Sequence, residues 1–407
     1  GMMSSDRIVI VGAGQAGLAV AEGLRDGGFD GAVTLVGDED APPYQRPPLS
    51  KKYLLGEMTA ERLWLKPHDF YADRRIELAL DVRAVSIDRA GRILRLSDGR
   101  ALPYDALALA TGARPRRLPE AVGGALAGVY AVRSLADVDA MEPEFAAGRR
   151  ALVVGGGYIG LEAAAVAVEK GLSVTLVEAA PRILSRVAAP ETARWFAALH
   201  RGRGVDLREG VGLERLEGSG GRVSAARLAT GERIGIDFAL VGIGVIPNVA
   251  LAAEAGLALD DGIAVDAACR TSDPAIYAAG DCASFPWRGR RIRLESVPNA
   301  IDQGKAAARA MLGEAVVYDP VPWFWSDQYD VKLQIAGLNA GWDRVVERPG
   351  ARAGAHSVWY FDGPALLAVD AMNDPRAYMT GKRWIEAGTS PDPDALADPA
   401  ADLRTLA

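Results

Sequence analysis

Two glycine-rich stretches have the spacing of a phosphate cradle: Gly12-Ala13-Gly14-Gln15-Ala16-Gly17 and, far downstream, Gly155-Gly156-Gly157-Tyr158-Ile159-Gly160. In such a turn the first glycine permits a tight reversal, the second lets the backbone approach a pyrophosphate, and the third allows close helix packing. The helix N-terminus that follows offers free N–H groups and positive dipole to the phosphates. One such motif is weakly informative, whereas two in matching strand and helix context argue for two dinucleotides.

The acids that follow separate the two copies, because a ribose-binding carboxylate is expected about 20 residues past the glycines. In the second copy the run SVTLV is followed directly by Glu178. A carboxylate there accepts bonds from both ribose hydroxyls and repels a 2′-phosphate, so NADH is expected in preference to NADPH. Arg182 and Arg186 therefore read as surface or phosphate-contact residues rather than 2′-phosphate ligands. In the first copy AVTLV is followed by Gly37, and the carboxylate is displaced to Asp38, chosen over Glu39. A further acid, Asp281, follows Gly280 at the end of an apolar strand, where it can bond ribityl hydroxyls that NAD lacks. Pro298 suits the first turn of a helix running to about Leu312, whose dipole would face the pyrimidine edge of a flavin. The first dinucleotide is accordingly expected to be FAD.

The elements that must position these residues follow the apolar pattern. Residues 7–11 (RIVIV) and 32–36 read as strands flanking a helix at 18–25, and residues 151–154, 161–170 and 173–177 repeat the arrangement. Residues 92–97, the turn Asp98-Gly99 and residues 104–110 read as a hairpin and a buried strand that returns to the first sheet, ending at Thr111. Residues 223–228, Thr230-Gly231 and residues 238–242 repeat that signature. From about Val321 the chain turns aromatic (Trp323, Phe324, Trp325, Tyr329) with alternating runs at 357–361 and 366–371, the pattern of a third, antiparallel domain. Residues 389–407, rich in Pro, Asp and Ala, read as a short helix or a frayed tail.

Composition excludes several classes. The 407 residues predict two or three domains at roughly 150 residues each. A hydrophobic share of 49% and a charged share of 24% are those of an ordinary globular chain. The net charge of −7 argues against nucleic acid as the main ligand. The uncharged run 238–253 is broken by glycines, a proline and Asn248, and is shorter than the ~20 apolar residues of a spanning helix, so no membrane segment is expected. Gly1 before Met2 reads as the remnant of a cleaved tag, and with no basic-then-apolar leader a cytoplasmic location is expected. Cys269 and Cys282 form no CxxC pair, and His68, His200 and His356 are dispersed, so neither a disulfide framework nor a metal is expected. Each histidine reads as an ordinary surface or core residue.

The segments VGAGQAG, PYQRPPLSK (43–51), ATGARP (110–115), VGGGYIGLE (154–162), GIGVIPN (242–248), YAAGDCA, ESVPNA (295–300) and PWFWSDQY (322–329) together resemble the FAD-dependent ferredoxin reductases of the glutathione-reductase fold, putidaredoxin reductase-like enzymes above all. The resemblance covers nearly the whole chain. It implies an α/β protein with two Rossmann-like dinucleotide-binding domains and a C-terminal α+β domain. The boundaries expected are 1–111 with 245–320 for FAD, 112–244 for NADH, and 321–407 for the last. It implies FAD contacts from Gly12, Gly14, Ala16, Gly17, Asp38, Arg46, Lys51, Ala84, Thr111, Arg133, Asp281, Val297 and Trp325. NADH is implied on Gly155, Gly157, Tyr158, Ile159, Gly160, Glu178 and Gly244. Lys51, behind the rigid run Pro47-Pro48-Leu49-Ser50, is implied near flavin N5 with Glu162 as its partner.

The related disulfide reductases carry a redox cysteine against the flavin, but residues 42–51 contain none, and Cys282 reads as a small buried residue. Electrons must then leave to an external carrier, since the flavin takes a hydride and releases electrons singly. A [2Fe-2S] ferredoxin feeding a cytochrome P450 is the expected acceptor. An acidic carrier needs positive charge near the flavin, for which Lys305 and Lys382-Arg383 are the candidates, also by resemblance. The more basic run Trp287-Arg288-Gly289-Arg290-Arg291-Ile292-Arg293 reads equally well as a solvated hairpin face. Trp325 belongs to an aromatic stripe that is core by default, yet its ring is favoured as the cover of the isoalloxazine. A rubredoxin reductase or the reductase of a ring-hydroxylating dioxygenase shares these motifs. A redox-sensing FAD and NADH binding protein is the rival of another class. A monomer is expected.

Overall fold

The computed structural model describes residues 2–46, 52–131 and 134–407. Lys51 and Arg133 lie outside the described residues. Contacts divide the chain into two compact units, the first formed by Gly1–Gln45, Ala60–Arg114 and Val245–Pro322, the second by Arg46–Thr59, Pro115–Gly244 and Trp323–Ala407.

Among the described residues, the first unit is built on a parallel sheet in the order Ile276–Ala278, Ala106–Leu109, Arg7–Val11, Ala32–Val36, Ile76–Ala79. Its strands are near-continuous apolar runs, as expected where both faces of a parallel sheet are covered. The strand after the hairpin does return to this sheet, pairing Ile8 with Ala106 through Val11 with Leu109. The first helix, Gln15–Asp26, starts directly after Gly14 rather than at residue 18. The apolar pattern reports only where the helix buries a face, whereas its first turn forms the end of the glycine cradle.

That helix packs closely on Val297–Met311. A Cβ on Gly23 would lie 2.7 Å from the Ala308 Cβ, and one on Gly304 would lie 2.7 Å from the Ala16 carbonyl oxygen. Ser296 caps Val297–Met311 by accepting the Asn299 N–H at 3.2 Å, and Pro298 occupies its first turn as the sequence predicts.

The second unit repeats the plan with a parallel sheet in the order Asp206–Glu209, Ser173–Glu178, Arg150–Val154, Phe238–Val241, Val129–Tyr130. Its second helix, Tyr158–Glu169, again starts directly after a glycine, Gly157. An antiparallel sheet of Leu213–Ser219, Arg222–Leu228 and Arg233–Gly235 supplies the repeated hairpin. The aromatic C-terminal region is antiparallel, in the order Trp323–Gln328, Val331–Gly337, Ala365–Met372, His356–Asp362, Arg344–Pro349, with helix Pro375–Ala387 on it. It has its own apolar cluster around Trp359, Phe361, Val369 and Trp384.

The tail is not frayed. Leu396 and Leu403 are buried in that cluster, and the short helix Pro393–Ala397 is capped by Asp392. The Arg348 guanidinium donates to the carbonyls of Leu396, Asp398 and Ala401, which satisfies polar groups that a loose tail would leave to water.

Candidate nucleotide-binding sites

In the first cradle, Gly12 and Gly17 are glycines for internal reasons. Gly12 has φ +117°, and a Cβ there would lie 1.9 Å from the Ala110 carbonyl oxygen; one on Gly17 would lie 1.8 Å from the Gly12 carbonyl oxygen. Gly14 is different. Its φ of −111° suits any residue, and a Cβ there would meet no atom of the described residues within 4 Å. No described residue demands glycine at position 14, and its backbone at the helix end is left bare on that side among the described residues.

Other candidates of the first unit converge on the same sheet end. Ala16, Ala110 and Ala300 form a small apolar cluster joining the first helix, the end of Ala106–Leu109 and the start of Val297–Met311. Gly280 donates its N–H to Gln303 Oε1 at 2.9 Å, and a Cβ on it would lie 2.9 Å from the Ala16 Cβ. Asp281 and Val297 are thereby delivered beside the glycine turn. Thr111 donates its hydroxyl to the Asn248 carbonyl at 2.7 Å, so its proton is committed to a chain crossing that Asn248 Nδ2 reciprocates at 2.8 Å.

At the far end of the cradle Asp38 is exposed, while Glu39 accepts the Tyr44 hydroxyl at 2.6 Å. The Val82 N–H bonds the Gly37 carbonyl at 3.1 Å, which brings the strand beginning at Ala84 alongside that loop. These residues fit an extended dinucleotide such as FAD: Gly14 would leave room for a pyrophosphate, and Asp38 and Asp281 would offer an acid to each end. Arg46 is half-buried and belongs to a segment grouped with the second unit.

The second cradle repeats the division of labour. A Cβ on Gly155, at φ +107°, would lie 2.0 Å from the Gly242 carbonyl oxygen, and one on Gly160 would lie 2.0 Å from that of Gly155. A Cβ on Gly157, with φ −81°, would meet no atom of the described residues within 4 Å. Glu178 is held by two backbone donors, Gly156 N–H to Oε1 at 3.0 Å and Ala180 N–H to Oε2 at 2.9 Å. Each oxygen keeps lone pairs for ribose hydroxyls. Gly244 (φ +101°) likewise has no atom of the described residues within 4 Å of its Cβ position, and Ile159 is 46% exposed on the first helical turn.

Tyr158 turns inward. Its ring lies 5.3 Å from Phe324, and burial, with Asp370 and Tyr360 close by, holds its phenol well above the usual tyrosine range. Glu162, one turn further on, accepts the Ser326 hydroxyl at 2.7 Å.

Trp325 is half-buried, with its ring centroid 5.7 Å from that of Trp323. Lys382 Nζ sits 5.6 Å above the Trp323 ring and 3.7 Å from Glu386 Oε1, while Arg383 is exposed. Lys305 is exposed on helix Val297–Met311. Much of the basic hairpin is committed to the fold: Arg291 donates to the carbonyls of Val265 and Ser284, Arg293 to that of Asp281 and to Glu295, and Arg288 pairs with Asp319. Cys282 is fully buried, and burial pushes its thiol up, away from a reactive thiolate.

Two buried clusters escaped the sequence reading. Asp370 accepts the Thr192 hydroxyl at 2.7 Å and the Tyr360 hydroxyl at 2.5 Å, and burial raises its carboxyl to about 6. His200, set aside as an ordinary residue, is fully buried with both ring nitrogens in hydrogen bonds. Neither cluster carries a local signal, because its members come from distant segments.

Residues 6–304 match the family model described as pyridine nucleotide-disulphide oxidoreductase, and residues 323–407 match that described as reductase C-terminal. Putidaredoxin reductase of Pseudomonas putida is 42% identical over 411 residues, spanning 100% of this chain and 97% of that protein. Rhodocoxin reductase of Rhodococcus erythropolis is 43% identical, spanning 98% of this chain and 93% of that protein. Among solved structures, that of a covalent putidaredoxin reductase–putidaredoxin complex superimposes with a TM-score of 0.96 at 42% identity, over 99% of this chain and 98% of the other.

Proposed function

The chain belongs to the pyridine nucleotide-disulphide oxidoreductase family as an FAD-dependent ferredoxin reductase of the putidaredoxin reductase kind, and on that premise we propose that it passes electrons singly from NADH to a [2Fe-2S] ferredoxin that feeds a cytochrome P450. The observation that carries this reading is the pair of cradles, each with a middle glycine that no described residue requires. Bound FAD supplies the chemistry, taking two electrons with a hydride and giving them up one at a time.

The residues of the chain bind, orient and tune. Gly14 and the N-terminus of Gln15–Asp26 receive the flavin dinucleotide's pyrophosphate, Asp38 its ribose and Asp281 its ribityl chain. Gly157 and the N-terminus of Tyr158–Glu169 receive that of NADH, and the doubly held Glu178 takes the adenosine ribose and disfavours NADPH. Val297 opens a helix whose dipole favours negative charge at the flavin's pyrimidine edge. On the family likeness, Lys51 and Glu162 pair beside the reacting atoms, and Trp325 is assigned to the flavin. Lys305, Lys382 and Arg383 are proposed to steer an acidic carrier. The division into 1–111 with 245–320, 112–244 and 321–407, a monomeric state and a cytoplasmic location complete the reading.

The test is NADH-driven cytochrome c reduction with and without a panel of [2Fe-2S] ferredoxins and a rubredoxin. Stimulation by a [2Fe-2S] protein is expected. If rubredoxin alone stimulates, the carrier is wrong. If none does while NADH still bleaches the flavin, the redox-sensing role takes precedence.

A further inference from the structure

A line of hydrogen bonds runs through the second unit and ends on Glu162. The Tyr329 hydroxyl lies 3.0 Å from His200 Nδ1, and His200 Nε2 lies 2.8 Å from Gln328 Oε1. Gln328 Nε2 donates to Ser326 Oγ at 3.2 Å, and Ser326 Oγ donates to Glu162 Oε1 at 2.7 Å. Ser326, Gln328 and His200 are fully buried, and Tyr329 is 5% exposed.

The donors can point in only one direction. An ionised carboxylate only accepts, so the Ser326 proton goes to Glu162 and the Ser326 oxygen must itself accept from the Gln328 amide nitrogen. That turns the Gln328 carbonyl to the ring, so Nε2 of His200 carries the proton and Nδ1 accepts from Tyr329. A neutral ring is also what its surroundings favour, since desolvation lowers the His200 pKa against the opposing pull of Gln328.

The origin of the line is fixed as firmly as its end. Tyr329 begins the loop between Trp323–Gln328 and Val331–Gly337, and its φ of +56° is the left-handed conformation that a bulky residue adopts only against steric strain. The Arg203 guanidinium covers its ring at 4.7 Å from the centroid, and His200 takes its hydroxyl.

We infer that His200 is a positioning residue for the hydride-transfer site, holding the Glu162 carboxylate in place through Gln328 and Ser326. The inference deepens the proposed function and rests on its reading of Glu162. The line orients and does not conduct: a proton crossing it would have to pass through the Gln328 amide, which holds its own protons. Aligned donors ending on a carboxylate support its negative charge and fix its rotamer, and a buried chain of this kind acts as a unit.

The experiment follows flavin reduction by NADH in the FAD-loaded protein by rapid mixing, reading the limiting rate and the apparent NADH dissociation constant separately. The variants are Ser326→Ala, Gln328→Met, His200→Phe, His200→Gln and Glu162→Gln. Ser326→Ala, which removes one bond to a charged group, is expected to slow the limiting rate about tenfold or more, and breaking a neutral link at Gln328 or His200 about threefold to tenfold, with NADH affinity within about twofold of the parent. Combined with Glu162→Gln, each should add nothing. His200→Gln, whose amide offers the same donor and acceptor pair as the ring, should recover most of the rate.

Slowing by Ser326→Ala with Gln328→Met and His200→Phe silent would overturn the inference, since Ser326 alone would then hold the carboxylate. Multiplying effects with Glu162→Gln would overturn it too. Should His200→Phe fail to fold, Gln328→Met decides. An unaltered rate in Glu162→Gln would remove the reading of Glu162 itself, whereas a slow Glu162→Gln beside silent relay variants removes the positioning role alone.

Discussion

The Gly156 N–H donates to Glu178 Oε1 at 3.0 Å, and that bond accounts for why the two nucleotide cradles differ in sequence. A side chain on residue 156 would lie 3.4 Å from this oxygen and 2.6 Å from Ile183 Cγ2, so the carboxylate and the bare glycine go together. In the first cradle the occupancy is exchanged: Ala13 carries the side chain, residue 37 is glycine, and a Cβ on Gly37 would lie 2.6 Å from the Ala13 Cβ. A side chain directly after the strand would strike Ala13, and the first acid in the sequence there is Asp38.

Glu178→Ala is expected to raise the Michaelis constant for NADH by about tenfold or more, the loss of hydrogen bonds to a charged acceptor, and to change that for NADPH much less. Steady-state kinetics with both nucleotides check it. Equal losses for the two would mean that Glu178 is not the ribose acid.

Gly14→Ala and Gly157→Ala should leave the fold and its melting temperature within a few degrees of the parent, because neither Cβ meets protein and neither φ is restricted to glycine. Gly14→Ala should lose FAD, measured by the flavin content of purified protein, and Gly157→Ala should lose NADH, measured by titration. Gly12→Ala and Gly160→Ala, which strike backbone oxygens, should instead fail to accumulate as folded protein.

Asp370 sets a pH dependence of stability. Its folded-state carboxyl is raised to about 6 by burial, well above that of the unfolded chain. Between pH 6 and about 4 the folded protein keeps a proton that the unfolded chain has released, so stability rises as pH falls through that window. Two units correspond to roughly 3 kcal/mol, fully present below about pH 4 and lost as pH climbs past 6. Thermal unfolding of the parent should therefore gain on that of Asp370→Asn as the pH is lowered from 8 to 4. A constant gap would show that Asp370 does not titrate in this range.

Lys305→Glu is expected to raise the Michaelis constant for a [2Fe-2S] ferredoxin several-fold, increasingly so at low salt, and to leave ferricyanide reduction unaltered. Equal effects on both acceptors would refute a docking role for this exposed lysine.

How much of this was legible before the fold differs by residue. The two cradles, Glu178 and the proline-led helix at Val297 were readable because each depends on neighbours close in the chain: a turn, the strand before it and the helix after it. Apolar spacing predicts the helix starts late, at residues 18 and 161, because it marks buried faces and is blind to a first turn that closes the glycine cradle. The tail reads from sequence as either a short helix or a frayed end, since its composition says nothing of Arg348, whose guanidinium binds it.

By itself the sequence determined the duplicated nucleotide-binding architecture, the identity of the acids after each strand, and the absence of a cysteine from residues 42–51. Only the tertiary structure decided which partners Glu162, His200 and Asp370 bond to. Glu162 and Ser326 are 164 positions apart, His200 and Gln328 are 128 apart, and Thr192 and Asp370 are 178 apart. A hydrogen bond acts over about 3 Å of space with no regard to distance along the chain. Such pairings leave no periodicity or spacing in a sequence, and they exist only once the sheets and helices that carry them have packed.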